Sequence, residues 1–198
     1  IGDWQAGNFL HFRCMQKIKT AVVGASGYTG MELLRLLLMH PNAELTCVTS
    51  RQHAGQPLSE IFPRFAQAAG SALTFTDPDA QTSKDSGAEI AFLALPHGVA
   101  AAYATALLDL GVRVVDLSAD FRLNDAAVYQ EFYGVEHAAQ GLLQDAVYGM
   151  AELSGRSEQI AAARLVASPG CYPTSIILPL VPLLEKSLID PQSVVTCS

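Results

Sequence analysis

Short apolar runs alternate with amphipathic stretches along most of the chain, a pattern that predicts strand, helix and strand in turn. Residues 17–23 read as a buried strand, 31–39 as a helix ended by His40 and Pro41, and 43–49 as a second strand. Together they make a βαβ unit. A mixed connection over residues 52–87 follows, punctuated by Pro57, Pro63 and Pro78 and carrying one short strand at 72–76. Further strands are predicted at 90–95, 112–117 and 165–167, with helices at 99–110 and 157–163. Residues 126–149 are aromatic and irregular, with a turn near Gln140 and Gly141. The pattern predicts an α/β fold, a Rossmann-like, doubly wound, mostly parallel sheet over residues 17–167.

Both ends fall outside that pattern. Residues 1–16 show neither period nor caps and read as a leader or an appended remnant. Residues 168–198 hold a Pro-Gly turn, a helix at 174–188 interrupted or kinked by Pro179 and Pro182, and a strand at 193–197. They read as the start of a second, truncated α+β domain.

Composition narrows the function classes. Of 198 residues half are hydrophobic and 16% charged, enough apolar material for a sizeable core and against disorder. A formal charge of −7 with no basic run disfavours a nucleic-acid partner. The longest apolar stretches are broken short of a membrane span, so a soluble protein without a membrane partner is expected. Cys14, Cys47, Cys171 and Cys197 lack the paired spacing of a zinc or redox motif, and no secretory signal is evident. Free thiols in a cytoplasmic protein, and no metal, are the expectation.

Two motifs carry chemistry. Gly24-Ala25-Ser26-Gly27-Tyr28-Thr29-Gly30 follows a strand and opens a helix. Such a turn lets backbone approach a pyrophosphate, which sits on the helix N-terminus. Gly24, Ser26, Gly27, Tyr28, Thr29 and Gly30 are therefore cofactor candidates. About twenty residues further on, where an NAD site carries an acidic residue for the ribose, stands Thr49-Ser50-Arg51. The hydroxyl of Ser50 and the guanidinium of Arg51 suit a 2′-phosphate, so NADP(H) is the expected cofactor.

The second motif is Ser168-Pro169-Gly170-Cys171-Tyr172-Pro173-Thr174, a thiol just after a turn and just before a helix. A helix N-terminus favours the thiolate, the form that attacks a carbonyl carbon. A buried structural cysteine is the competing reading. Loops at strand carboxyl ends face the ligand crevice of a doubly wound sheet. That brings in Pro96-His97-Gly98, where His97 stands near the cofactor or simply bonds backbone and is assigned no catalytic role, and Ser118-Ala119-Asp120-Phe121-Arg122, where Arg122 could hold an anionic group bidentately or simply contact Asp120. A dinucleotide fold with a poised thiol points to reduction of an activated acyl group through a thioester. The oxyanion would be met by backbone N–H groups at the start of the helix at Thr174.

These two motifs, with Leu95-Pro96-His97-Gly98 and Asp116-Leu117-Ser118-Ala119-Asp120-Phe121-Arg122, make the chain resemble the N-acetyl-γ-glutamyl-phosphate reductases, NADPH enzymes of arginine biosynthesis. The similarity runs from about Lys17 to the end. It implies that Cys171 forms the acyl thioester and that the glycine loop with Ser50 and Arg51 holds NADPH. Pro96, Ser168 and Gly170 are grouped with the cofactor, and Ser118, Asp120, Arg122 and Glu152 with a small-molecule acyl phosphate. The chain departs from the family in having Ala151, not Pro, before Glu152. The family's subunit is longer, its second domain carrying the acid/base histidine and most of the interface of a dimer or tetramer. His11, His40, His53, His97 and His137 do not stand in that motif, so this chain alone is not expected to turn over. A reductase of aminoadipyl or aspartyl phosphate and a non-catalytic NADP-binding module are the alternatives. A cysteine hydrolase ranks last, since it leaves the glycine loop unexplained.

Overall fold

A computed structural model describes residues 16–68, 70 and 72–197. Six strands form one sheet: β1 (Ile18–Val23), β2 (Ala43–Thr49), β3 (Ile90–Leu93), β4 (Arg113–Asp116), β5 (Ala146–Tyr148) and β6 (Leu165–Ala167). Their order is β2-β1-β3-β4-β6-β5, and every neighbouring pair is parallel. Parallel neighbours cannot be joined by a tight turn, so the connections carry helices. These are α1 (Tyr28–Met39), α2 (Leu58–Ile61), α3 (Ala80–Asp85), α4 (Ala100–Asp109), α5 (Ala126–Tyr133) and α6 (Arg156–Ala162), with α7 (Cys171–Glu185) after the last strand.

A sheet covered on both sides needs apolar residues on both faces of each strand. Ala21 and Val23 of β1 pack into the core beneath α4, with Leu107 and Ala104, while Val22 faces the other core, with Leu34 and Leu37 of α1. One irregularity adjusts β2 to this scheme. Thr20 pairs with Leu45 but Ala21 pairs with Cys47, so Thr46 is an extra residue opposite β1. Its hydroxyl bonds the Thr20 carbonyl (3.3 Å) and meets Ser86 Oγ (3.2 Å). The extra residue reverses the alternation beyond it. Leu45 lies in the α1 core, yet Cys47, two residues on, lies in the α4 core.

From β1 the chain runs through α1 to β2 on one side, then crosses to β3 on the other. That reversal makes the carboxyl ends of β1 and β3 the topological switch point, where an open α/β sheet opens a crevice.

Several expectations need correction. The strand read at 72–76 is only a pair of isolated bridges, Thr49 with Thr76 and Pro57 with Thr74. Residues 126–149, read as irregular, contain α5 and β5. The expected strand at 193–197 is absent: Pro191–Ser193 is a 3-10 turn, and residues 194–197 have no regular structure. A strand persists only against a partner edge, and among the described residues none pairs there. The last helix begins at Cys171 rather than Thr174, ends at Glu185, and runs through both Pro179 and Pro182. The readings of residues 1–15, Cys14 among them, lie outside the described residues.

Candidate functional site

The glycine loop leaves β1 at the switch point. Gly24 has φ of +83°, and a Cβ on it would stand 2.5 Å from the Ala94 carbonyl oxygen. Its N–H donates to Thr49 Oγ1 (3.2 Å), and the Ala25 N–H to the Thr49 carbonyl (2.9 Å), tying the loop to the end of β2. A Cβ on Gly27, ahead of α1, would meet only the Gly24 carbonyl oxygen, at an ordinary contact distance of 3.9 Å, so its backbone is not crowded against a ligand. Gly30 serves packing: a Cβ there would lie 2.5 Å from the Gly24 carbonyl oxygen. The three glycines thus make a turn, an approach and a close helix-strand contact. No side chain caps α1, no acidic residue lies in its first turn, and Met31 is the first amide to bond back, to Gly27. The amides of Tyr28, Thr29 and Gly30 precede it, and Tyr28 itself is fully exposed. Such a helix start suits an anion.

A cavity of about 290 Å³ lies against this loop, lined among others by Gly24, Ser26, Ser50, Arg51, Pro96 and Val99. Ser50 is buried, and its hydroxyl is engaged with Ser26 Oγ (2.8 Å) and with the His53 N–H (3.3 Å). It fastens the cavity wall. Arg51 is exposed and, among the described residues, in no ion pair. A dinucleotide fits these residues: an anion site at α1, unhindered backbone at Gly27, and an uncommitted guanidinium at the rim.

Cys171 is the first residue of α7 and is exposed. It lines a second cavity, of about 480 Å³, with Arg122, Tyr133, Tyr148, Gly170 and Tyr172. Ser168 anchors the approach: its N–H donates to the Asp116 carbonyl (2.7 Å), and its own carbonyl accepts from Arg122 Nε (2.8 Å). Arg122 Nη2 donates to the Leu117 carbonyl (2.9 Å). Nη1 lies beside Gly170, where a Cβ would approach it to 3.0 Å. Two edges of the guanidinium are thus committed to backbone, so Arg122 does not present the bidentate fork expected of it, and it makes no ion pair with Asp120.

The other substrate candidates sit apart from this cavity. Ser118 is buried, donating to Asp116 Oδ2 (2.7 Å) and accepting from the Asp120 N–H (3.1 Å). Asp120 is fully buried, its carboxylate spent on Gly98, Ala101 and Tyr129. Glu152 is exposed in a turn, outside the cavity lining. Tyr133 and Tyr148, which do line it, are not among the site residues expected from the sequence, because nothing local ties them to Cys171.

The family model of the semialdehyde dehydrogenase NAD binding domain matches residues 19–163. The chain belongs to this family. Among curated relatives of this semialdehyde dehydrogenase domain is an N-acetyl-γ-glutamyl-phosphate reductase of Akkermansia muciniphila, 61% identical over 93% of this chain and 52% of its own length. One of Neisseria gonorrhoeae is 49% identical over 89% and 49%. The chain spans about half the length of the curated relatives it matches. In fold it is similar to aspartate semialdehyde dehydrogenase II of Vibrio cholerae, with a TM-score of 0.60 at 15% identity over 86% of this chain and 47% of that one. It is also similar to a probable aspartate-semialdehyde dehydrogenase of Pseudomonas aeruginosa, with a TM-score of 0.55 at 26% identity over 86% and 43%.

One carboxyl in this semialdehyde dehydrogenase domain has a distinct electrostatic setting. Burial pushes Asp116 up from 3.8 to about 6, against the pull of two Ser118 hydrogen bonds, and the nearby charge of Asp120 adds to the rise. The folded value lies above the unfolded one, so the folded state holds the extra proton between them. Stability from this group is therefore full below about pH 4, declines as pH rises to about 6, and is flat above. The difference is on the order of 2–3 kcal/mol. Asp116→Asn should remove that slope, and melting temperatures of the two proteins measured from pH 4 to 7.5 will check it. Parallel curves for the two would refute this origin of the pH dependence.

Proposed function

We propose that this chain is the nucleotide-binding and thiol-bearing part of an NADPH-dependent N-acetyl-γ-glutamyl-phosphate reductase, acting in the cytoplasm on a small acyl phosphate. The observation that carries the reading is the exposed thiol of Cys171 at the head of α7, at the same carboxyl edge of the sheet as the glycine loop. The names of relatives 48–61% identical support the choice of substrate.

In this reading the Cys171 thiolate bonds to the acyl carbon, the carbon–oxygen bond to phosphate breaks, and inorganic phosphate leaves. The amides of Cys171 and Tyr172 precede the first backward bond of α7, from Thr174 N–H to the Gly170 carbonyl (3.1 Å), and would meet the oxyanion. That assigns the oxyanion one turn earlier than a helix starting at Thr174 would. Arg122, through Nη1, offers one further donor to the departing phosphate. Gly24, Ser26, Gly27, Tyr28, Thr29, Gly30 and Arg51 hold the dinucleotide, with Ser50 and Pro96 walling its cavity and Ser168 and Gly170 on the thiol side. A bound NADPH would supply the hydride for reduction of the thioester carbonyl to an aldehyde, with Cys171 the leaving thiolate.

The remainder of such an enzyme would cover α7. Tyr172, Ile176, Ile177, Leu180 and Leu183 are apolar, yet no residue of this helix is buried. We assign that face to contacts with a second, catalytic and dimerising unit that supplies the acid/base histidine, within a homo-oligomer. Reduction of N-acetyl-γ-glutamyl, aspartyl and aminoadipyl phosphates by the whole enzyme, each with NADPH and NADH, tests the reading. The N-acetylglutamyl substrate with NADPH should be used best. Preference for another acyl phosphate overturns the substrate, and equal use of NADH overturns the role of Arg51.

A further inference from the structure

The strip Pro96, His97 and Gly98 has a residue against each cavity. Pro96 lines the nucleotide cavity, and His97 rests on Tyr133 of the thiol cavity, with ring centroids 5.9 Å apart. What fixes this strip is Asp120. Its Oδ1 accepts from the Gly98 N–H (2.7 Å) and the Tyr129 hydroxyl (3.1 Å), and its Oδ2 accepts from the Ala101 N–H (3.0 Å) at the head of α4. Burial and the charge of Asp120 push the Tyr129 phenol up to about 12, so it stays a donor. On the thiol side, the Asp120 carbonyl accepts from His137 Nε2 (2.8 Å), because His137 Nδ1 is itself taken by the Ala139 N–H (3.0 Å). Two residues on, Arg122 grips Leu117 and Ser168, just ahead of Cys171.

Helix α4 alone does not require this arrangement. A Ser, Thr or Asp at its own N-cap would satisfy its first amides locally. That position holds Val99, which has no side-chain acceptor and lines the nucleotide cavity instead. The cap comes from a carboxylate nineteen residues away, fully buried and with no cation bonded to it among the described residues. A buried charge is costly, and three donors must offset its lost hydration. The cap thus joins two loops that a local cap would leave separate.

We propose that Asp120 is a positioning residue: without touching cofactor or substrate, it sets where the reactive end of a bound dinucleotide stands relative to Cys171. This rests on the reading of Cys171 and NADPH given above. In that reading the pyrophosphate is held at the glycine loop and the 2′-phosphate at Arg51, away from the strip, so loosening the strip should misplace the nicotinamide while binding persists.

The test uses Asp120→Asn and Tyr129→Phe in the whole enzyme. Asparagine keeps the shape but turns an amide group towards one of the two backbone donors, whereas Tyr129→Phe leaves both in place. Three quantities are read: NADPH affinity, protection of Cys171 by NADPH against iodoacetamide, and kcat with its KM. Wild type should be protected about tenfold or more, and Asp120→Asn less than about twofold, with Kd within about threefold and kcat down about 30-fold or more, since displacement of reacting groups by about 1 Å is that costly. Tyr129→Phe should keep protection near wild type. Wild-type protection and kcat in a folded Asp120→Asn enzyme would overturn the proposal, as would equal losses in both variants, which would point to packing. If wild type itself binds no NADPH or shows no protection, the cofactor and thiol reading fails first and takes the proposal with it, a result distinct from the other two.

Discussion

Replacing Cys171 by Ser will lower kcat of the whole enzyme by at least about 10³-fold, with NADPH affinity unchanged within about twofold. A serine hydroxyl at the head of α7 keeps the size and the helix start but is a far weaker nucleophile than a thiolate. The glycine loop does not sense the change, because its anchors are Thr49 and Ser26 with Ser50. The same site predicts a difference among thiols. Cys171 is exposed, whereas Cys47 is buried against Ser83, and burial pushes its thiol up. Iodoacetamide at neutral pH should modify Cys171 ahead of Cys47, Cys197 and Cys14, followed by peptide mass spectrometry. Retention of a tenth of the activity in Cys171→Ser, or slower labelling of Cys171 than of Cys197, would remove the thiol from the mechanism.

The largest stability effect is expected at Gly24. An alanine there must hold φ near +83° and fit a methyl 2.5 Å from a backbone oxygen of the neighbouring segment. The first cost is about 1–2 kcal/mol and the second about 1–3 kcal/mol, since main chain on both sides cannot yield as a side-chain tip can. Together they give about 4 kcal/mol, a fall in Tm of roughly 8–16 °C. Nucleotide affinity should fall with it, because any relaxation moves the loop off the crevice. Thermal melts of Gly24→Ala decide this, and a Tm within about 2 °C of wild type would show that the loop can rearrange at little cost.

The sheet was readable in the sequence wherever a strand is buried on both faces. A run such as Ala21, Val22 and Val23 admits few other readings, and the glycine loop is legible because each glycine meets a separate steric demand. Helix α5 does not show in the pattern because Val128, Tyr129, Phe132 and Tyr133 favour strands by propensity. Its true markers were at the ends: Asp125 accepts from the Ala127 and Val128 N–H groups, and Gly134 closes the helix at φ of +72°. Strand β5 is three residues long at the sheet edge, too short for a period to appear. For the site, the thiol and the cofactor loop were visible because local punctuation surrounds them. Ser118, Asp120 and Arg122 follow a strand's carboxyl end, where a substrate contact and a loop-shaping contact read alike in a sequence; the burial of Ser118 and Asp120, and the Leu117 and Ser168 carbonyls that Arg122 meets, come from the fold.

The single extra residue at Thr46 reaches further than its own strand. Side chains in β2 beyond it point opposite to where an unbroken alternation would send them, and after Cys47 and Val48 the strand ends at Thr49, with Ser50 next in the chain. Thr49 receives Gly24 on its hydroxyl, and Ser50 meets Ser26. The phase of the cofactor crevice is therefore set three residues upstream, by a count rather than by any chemistry at the crevice. Deleting one residue from β2 would leave every functional group in the chain and yet turn the crevice wall inside out.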